Sequence, residues 1–191
     1  MTILPALLFA LSANMDNFTV GIAYGAKKIK IGILSNMIIA IITGFGTLLS
    51  MSLGLFINKL ISQKLGNILG SSMLIIMGLY LLIDFFKNNH KDTLLKNPEK
   101  ADENNSGDID TKEAVILALA LAINNVSLGI GASITGLNIL YTTLCTTLLS
   151  IISIIFGFSI GKSYFSALLG KYAPLASALV IILLGIHEMF M

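Results

Sequence analysis

Six apolar stretches run along the chain, at residues 3–25, 32–57, 66–86, 113–135, 138–160 and 172–190. A crossing of a hydrocarbon core about 30 Å thick takes roughly 20 mostly apolar residues, and each stretch is of that order. None shows the strict apolar–polar alternation of a barrel strand. Each therefore predicts a helix, the state that satisfies its own backbone hydrogen bonds in lipid. The first stretch begins at once, with no lysine before Lys27. A secretory signal needs a basic start, so this pattern predicts a retained span and not a cleaved peptide.

One polar segment interrupts the series, Lys87 to Lys112. It holds too few apolar residues to fold alone, which predicts a solvated linker. Its Asp, Glu and Asn residues invite comparison with a calcium-binding loop, and we read their spacing as failing to match that pattern. The expected organisation is a first three-helix unit over 1–86, a linker over 87–112 and a second three-helix unit over 113–191.

Lysine sets the orientation, because the chain has no arginine. Lys27, Lys28 and Lys30 follow the first span, five lysines lie in the linker, and Lys162 and Lys171 follow the fifth span. Only Lys59 and Lys64 lie on the opposite side. The positive-inside rule then places both termini outside the cell membrane and the linker in the cytoplasm.

Composition agrees with a lipid solvent. Charged residues are 12% of the chain, about half the share usual in soluble domains, and mean hydropathy is +0.90. A net charge of +2 gives no nucleic-acid footprint. Cys145 is the one cysteine, so neither an internal disulfide nor a thiolate metal cluster is available. No nucleophile–base pair, phosphate loop or zinc spacing is present, and an enzyme is not expected.

The polar residues inside the spans repeat. Asp16-Asn17-Phe18-Thr19-Val20-Gly21-Ile22 in the first span parallels Asn124-Asn125-Val126-Ser127-Leu128-Gly129-Ile130 in the fourth. Leu74 to Gly78 in the third parallels Ile181 to Gly185 in the sixth, and Gly54 in the second pairs more weakly with Gly157 in the fifth. A unit of three spans is odd, so its copy must lie upside down. The expected fold class is thus an all-α membrane protein, six transmembrane helices forming two inverted three-helix repeats. Secondary transporters of this plan place their site near the midplane, between the repeats.

Asp16 is the central candidate. It falls near mid-membrane, where an ionisable side chain costs roughly 2.5–3.5 kcal/mol and ordinarily faces a cavity or partner. Asn17, Asn124 and Asn125 carry amide oxygens that ligate hard cations, or amide groups that hold neighbouring helices together. Adjacent residues point about 100° apart, so Asp16 and Asn17 cannot both address one ion in an unbroken helix. Gly21, Gly25, Gly129 and Gly131 are the expected points of unwinding. Thr19 and Ser127 share the faces of Asp16 and Asn124, as further ligands or as hydroxyls bonded back to their own helix. Ser12, one turn earlier, is a candidate rim residue. Glycine-rich faces also fit a homodimer.

The run Asn14-Met15-Asp16-Asn17-Phe18-Thr19-Val20-Gly21-Ile22-Ala23-Tyr24-Gly25, with its counterpart from Asn124 to Ala132, resembles the membrane family that unites MntP-type manganese efflux pumps and YtaF-type sporulation membrane proteins. The resemblance covers nearly the whole chain and is closer to the YtaF branch. It implies six spans in two inverted halves, no cofactor, and Mn²⁺ as a transported ion. Two departures stand out. The family usually has Asp where this chain has Asn124, and the manganese pumps tend to carry Glu and Pro in the second span, where this chain has Thr43 or a neighbour and no proline. Mn²⁺ held by Asp16 alone would leave a net positive charge in the membrane. The expectation is a cation exporter for Mn²⁺ or another divalent ion, with a non-transporting sporulation scaffold as its rival.

Overall fold

The computed structural model describes residues 3–87, 101–163 and 166–190; the side chains of Gln63, Asn124 and 166–171 lie outside this description. The helices are α1 (Ile3–Ala13), α2 (Met15–Lys27), α3 (Ile33–Leu60), α4 (Gln63–Lys87), α5 (Thr111–Asn124), α6 (Val126–Ile134), α7 (Ile139–Gly161) and α8 (Ser166–Phe190). Two short strands, β1 (Lys30–Ile31) and β2 (Asp108–Ile109), pair in parallel. Among the described residues, five helical segments are long and apolar enough to cross a membrane, counting α1 and α2 as one. The number becomes six if α5 and α6, which meet at a 44° bend, form one broken span. The chain is an all-α membrane protein. Most helices run a few residues past the apolar stretches, because backbone hydrogen bonding continues into the charged flanks.

The distribution of side chains is inverted relative to a water-soluble bundle. Large apolar residues such as Phe45, Phe56, Ile76, Leu148, Phe156 and Leu183 face outward. Small polar residues such as Ser12, Asn17, Thr43, Thr47, Ser71 and Ser150 are buried. Lipid solvates the outer face, and the interior must supply its own hydrogen-bond partners. Two apolar clusters bracket this polar interior. One contains Val20, Tyr24, Ile39, Leu117 and Ile154, and the other contains Phe9, Met51, Leu74, Leu128 and Ile181. In the first span Asn14 and Asn17 lie between them, and in α3 Thr43 and Thr47 do.

Packing pairs helices across the two halves. The α1–α2 segment lies on α7, α3 lies on α5 and α6, and α4 lies along α8. Glycine permits the closest approaches. A Cβ on Gly21 would stand 2.6 Å from the Ile154 carbonyl oxygen, and Gly25 meets the backbone of Phe158 and Gly161. A Cβ on Gly78 would lie 3.0 Å from the Ala178 carbonyl, and one on Gly185 would lie 3.0 Å from the Ser71 carbonyl. The glycines expected to unwind the spans therefore do something else. Gly21 and Gly25 lie within α2, and Gly129 and Gly131 lie within α6, all in continuous helix. At Gly21 and Gly25 the absent side chain brings backbones together, whereas Gly129 makes room for the Ser50 side chain and Gly131 for those of Leu74 and Met73. The helix interruptions occur at Asn14 and Asn125 instead.

Part of the segment expected to be a solvated linker is folded. Residues 88–100 lie outside the described residues, but Ala101, Asp102 and Ile109 are buried. The Lys30 N–H donates to the Gly107 carbonyl (2.9 Å), and the Ser35 hydroxyl donates to the Ile109 carbonyl (2.6 Å). Asp110 caps α5 and forms a capping box with Glu113. The tail of the linker is thus fastened to the turn after the first span.

The glycine contacts predict a sharp difference between two alanine substitutions. Gly157 faces the Phe18 carbonyl and the Ile22 N–H, whereas the nearest atom to a Cβ on Gly32 is the Ser35 hydroxyl at 4.0 Å. Gly157→Ala is expected to lower stability by about 1–3 kcal/mol through overpacking. Gly32→Ala, where a Cβ meets nothing closer and only the N-cap preference of α3 is lost, should cost less, about 1 kcal/mol at most. Unfolding midpoints in detergent micelles check this, and equal midpoints would contradict the close approach of α2 and α7.

Candidate functional site

The first span is pinched at Asn14 rather than severed. Its N–H still reaches the Ala10 carbonyl (3.2 Å), and its own carbonyl accepts from the Phe18 N–H (3.0 Å). The side chain also bonds backbone, with Nδ2 donating to the Ala10 carbonyl (2.7 Å) and across to the Thr146 carbonyl (3.1 Å). Competition of this kind between side chain and ladder is what disfavours Asn in helix interiors. The second interruption, at Asn125, has φ −92° and ψ −3° and bends the fourth span. Asn125 Nδ2 donates to the Ala13 carbonyl (3.1 Å), so the two interruptions are joined by one hydrogen bond.

Beside this bond lies a cavity of about 20 Å³, room for one water-sized occupant. Ser12, Asp16, Met77, Asn125, Pro174 and Ser177 contribute to its wall. Asp16 is half-buried and stands in the first turn of α2, the end of a helix that favours negative charge. Asn125 is buried, with its amide nitrogen committed to the Ala13 carbonyl. The Ser177 hydroxyl donates to the Ser12 carbonyl (3.0 Å), and the Ser12 hydroxyl is buried with no partner among the described residues. Pro174 adds a second disturbance, because a proline inside a helix cannot donate to the carbonyl four residues earlier.

The other candidates divide. Asn17 is wholly buried but turns away from the cavity wall, donating to Asn14 Oδ1 (2.8 Å) and to the Ser150 hydroxyl (2.8 Å). Its Oδ1 has no partner among the described residues. Thr43 extends this second network, its hydroxyl 3.4 Å from that of Ser150. Thr19 bonds back to the Met15 carbonyl (2.9 Å). Ser127 donates to the sulfur of Met77 (3.5 Å), one step behind the cavity wall. The side chain of Asn124 lies outside the described residues. The cavity thus unites Asp16 with Asn125 and not with Asn17. The interruptions explain the pairing: one falls two residues before Asp16, the other one residue after Asn124, so the two motifs are out of register in space. Among the described residues, no three His, Cys, Asp or Glu side chains group as a metal site.

Comparison with known proteins now bears on this geometry. A family profile described as "Putative manganese efflux pump" matches residues 91–189. A "Probable sporulation protein YtaF" from Bacillus subtilis (strain 168) is 31% identical over an alignment of 182 residues that covers 84% of this chain and 87% of the relative. The chain belongs to the Mntp family. A "Putative manganese efflux pump MntP" from Photorhabdus laumondii is 26% identical over 100% of this chain and 95% of its own. One from Yersinia enterocolitica is 24% identical over 100% and 96%. No solved structure matches.

Ser12, Ser177, Met77 and Pro174 complete a wall that the Mntp-family motifs alone do not mark. A polar or proline residue inside an apolar span is the available signal, and Pro174 and Ser177 both show it. The Asn14–Ser150–Thr43 network has the same signal in weaker form, since Ser and Thr often bond only to their own helix.

The two networks predict different costs. Asn17→Leu strands the Ser150 hydroxyl and Asn14 Oδ1 and is expected to destabilise by about 1–3 kcal/mol. Thr19→Val removes only a back-bond and should be near neutral. Thermal unfolding of the two variants in detergent distinguishes them, and a larger loss in Thr19→Val would contradict the assignment.

Proposed function

We propose that this protein is a secondary cation transporter that exports Mn²⁺ or another divalent cation through the cavity between its two halves. The carrying observation is the position of Asp16, on the partly polar wall of a small cavity where two interrupted spans meet. The names of the relatives, manganese efflux pumps among them, support the choice of ion. Asp16 is the charged ligand, and Asn125, Ser12 and Ser177 offer neutral oxygens around it. Asn17, Thr19 and Ser127 belong to the same two motifs, and in this reading they support the site from behind, while Asn124 stays a candidate ligand. A single carboxylate does not neutralise a divalent ion, so the bound state carries excess positive charge and holds its ion weakly. Weak holding suits release. Asp16 takes a proton in exchange for the cation, which couples export to proton entry.

Two inverted repeats are part of the proposal. The pairing of α1–α2 with α7 repeats in the pairing of α5–α6 with α3. Gly78 against Ala178 and Ile182 repeats in Gly185 against Ser71 and Ile75, with each partner displaced by the same sequence offset. The orientation, with both termini outside and the linker cytoplasmic, rests on lysine. It is supported by the β1–β2 pair, which puts two lysine-bearing loops on one face.

A second reading, a non-transporting sporulation membrane protein, is favoured by the YtaF relative and by the amide at Asn124. Flux into reconstituted vesicles decides between them. Wild type is expected to carry saturable Mn²⁺ flux, and Asp16→Asn is expected to lose it while remaining folded. Undiminished flux in Asp16→Asn would reject the site. No flux of any cation by folded wild type would favour the second reading.

A further inference from the structure

The twelve residues from Asp102 to Glu113, which close the linker and open α5, read Asp-Glu-Asn-Asn-Ser-Gly-Asp-Ile-Asp-Thr-Lys-Glu. Counted from Asp102, oxygen-bearing residues stand at places one, three, five, seven, nine and twelve, with glycine at six. This is the spacing of the EF-hand calcium loop, whose twelfth place is a glutamate. Ser106 at the fifth place, where Asp or Asn is usual, is its one departure. Contrary to the expectation for the linker as a whole, this run does match a calcium-binding loop, with Asp102 as its first residue.

The fold treats the segment as a built loop. Gly107, at the sixth place, has φ +78°, a value that a side chain rarely tolerates. Ile109, at the eighth, is buried and pairs through its backbone with Ile31. Glu113 lies in the first turn of α5.

Burial supplies an independent sign of a missing positive charge. Asp102 and Glu113 are each 5% exposed. Asp102 accepts from the N–H groups of Ser106 (2.9 Å) and Gly107 (2.9 Å), and Glu113 from those of Glu103 (2.9 Å) and Asp110 (2.9 Å). Neither makes an ion pair among the described residues. Two buried carboxylates held only by neutral donors are costly unless a cation joins them. Tyr24 lies beneath the loop, packed in one cluster with Ala101, Ile109 and Ala114. Its hydroxyl is fully buried, lacks a hydrogen-bond partner among the described residues, and stands in the electrostatic field of Glu113 and Asp102. Asp102, Asp110 and Glu113 do not close as a three-carboxylate group. A loop of this class does not depend on that, because amide, hydroxyl and carbonyl oxygens supply the remaining ligands.

We propose that Asp102–Glu113 binds a hard divalent cation of the Ca²⁺ class, through the side chains of Asp102, Asn104, Ser106, Asp110 and Glu113 and the carbonyl of Asp108. The site lies outside the membrane spans and is separate from the Asp16 cavity, so it does not rest on the transport reading. Occupancy fastens the start of α5 to the turn after α2, through the β1–β2 pair and the Ser35–Ile109 bond. The cation thereby braces the two spans that carry Asp16 and Asn125.

Calorimetric titration of the full chain in detergent with Ca²⁺, Mg²⁺ and Mn²⁺ tests this. Wild type is expected to bind one Ca²⁺ with a Kd between about 1 µM and 1 mM. Glu113→Gln keeps the capping box, which accepts Gln as well as Glu, and should weaken Ca²⁺ binding more than about tenfold. Asn104→Ala, at an exposed position, should weaken it without touching the fold. Asp16→Asn should leave it unchanged. The proposal is overturned if folded wild type gives no saturable Ca²⁺ binding up to about 10 mM, well above the weakest loops of this class. It is equally overturned if both loop variants bind as wild type does, or if binding is lost in Asp16→Asn alone.

Discussion

A hydrogen bond from the Asn125 amide to the Ala13 carbonyl ties together the two places where the membrane helices falter. In hydrocarbon no water is available to repair a disturbed backbone, so an interrupted span survives only where protein satisfies it. Each interruption here is answered by an asparagine. Asn14 bonds its own helix and the Thr146 carbonyl, and Asn125 reaches across to the first span. The polar layer follows from this requirement. Apolar clusters close it above and below, and the cavity at Asp16 is the space left between its members.

Much of the architecture was legible in the chain. The span positions were readable because membrane thickness imposes a length on apolar sequence, and the structure places helices over all six stretches. The interruptions were not readable, because glycine is ambiguous in a membrane helix. It permits unwinding, and it also permits contact. Gly21 and Gly25 serve contact, since a Cβ would collide with the backbone of α7. Asp16 was conspicuous by its charge. Its neighbour Asn17 was equally conspicuous, yet it points to Ser150, as the 100° step between adjacent helical residues requires. Ser177 and Pro174 reach the cavity from the last span, a proximity that no local pattern encodes.

The linker teaches the reverse lesson. Its poverty of apolar residues concealed a loop with strict internal spacing, because composition averages over positions and ligand spacing does not. Ile109 is the one large apolar residue in that loop, and it is the residue that enters the core. The same turn joins β1 to β2 and carries the acid that opens α5. Charge placed outside the membrane is thus mechanically connected to the polar layer within it, through the two spans that begin and end at this face.

If the cavity walled by Asp16, Asn125, Ser12 and Ser177 holds the cation, the bound ion shields that wall from reagents. The most direct test is protection of a thiol placed on that wall. Ser177→Cys, made together with Cys145→Ser so that it carries the chain's one thiol, is conservative in size and lies at the cavity. Mn²⁺ is expected to slow reaction of this thiol with a small alkylating reagent in a saturable way, and Asp16→Asn to abolish the protection. A reaction rate indifferent to Mn²⁺ in folded protein would contradict cation binding at that wall.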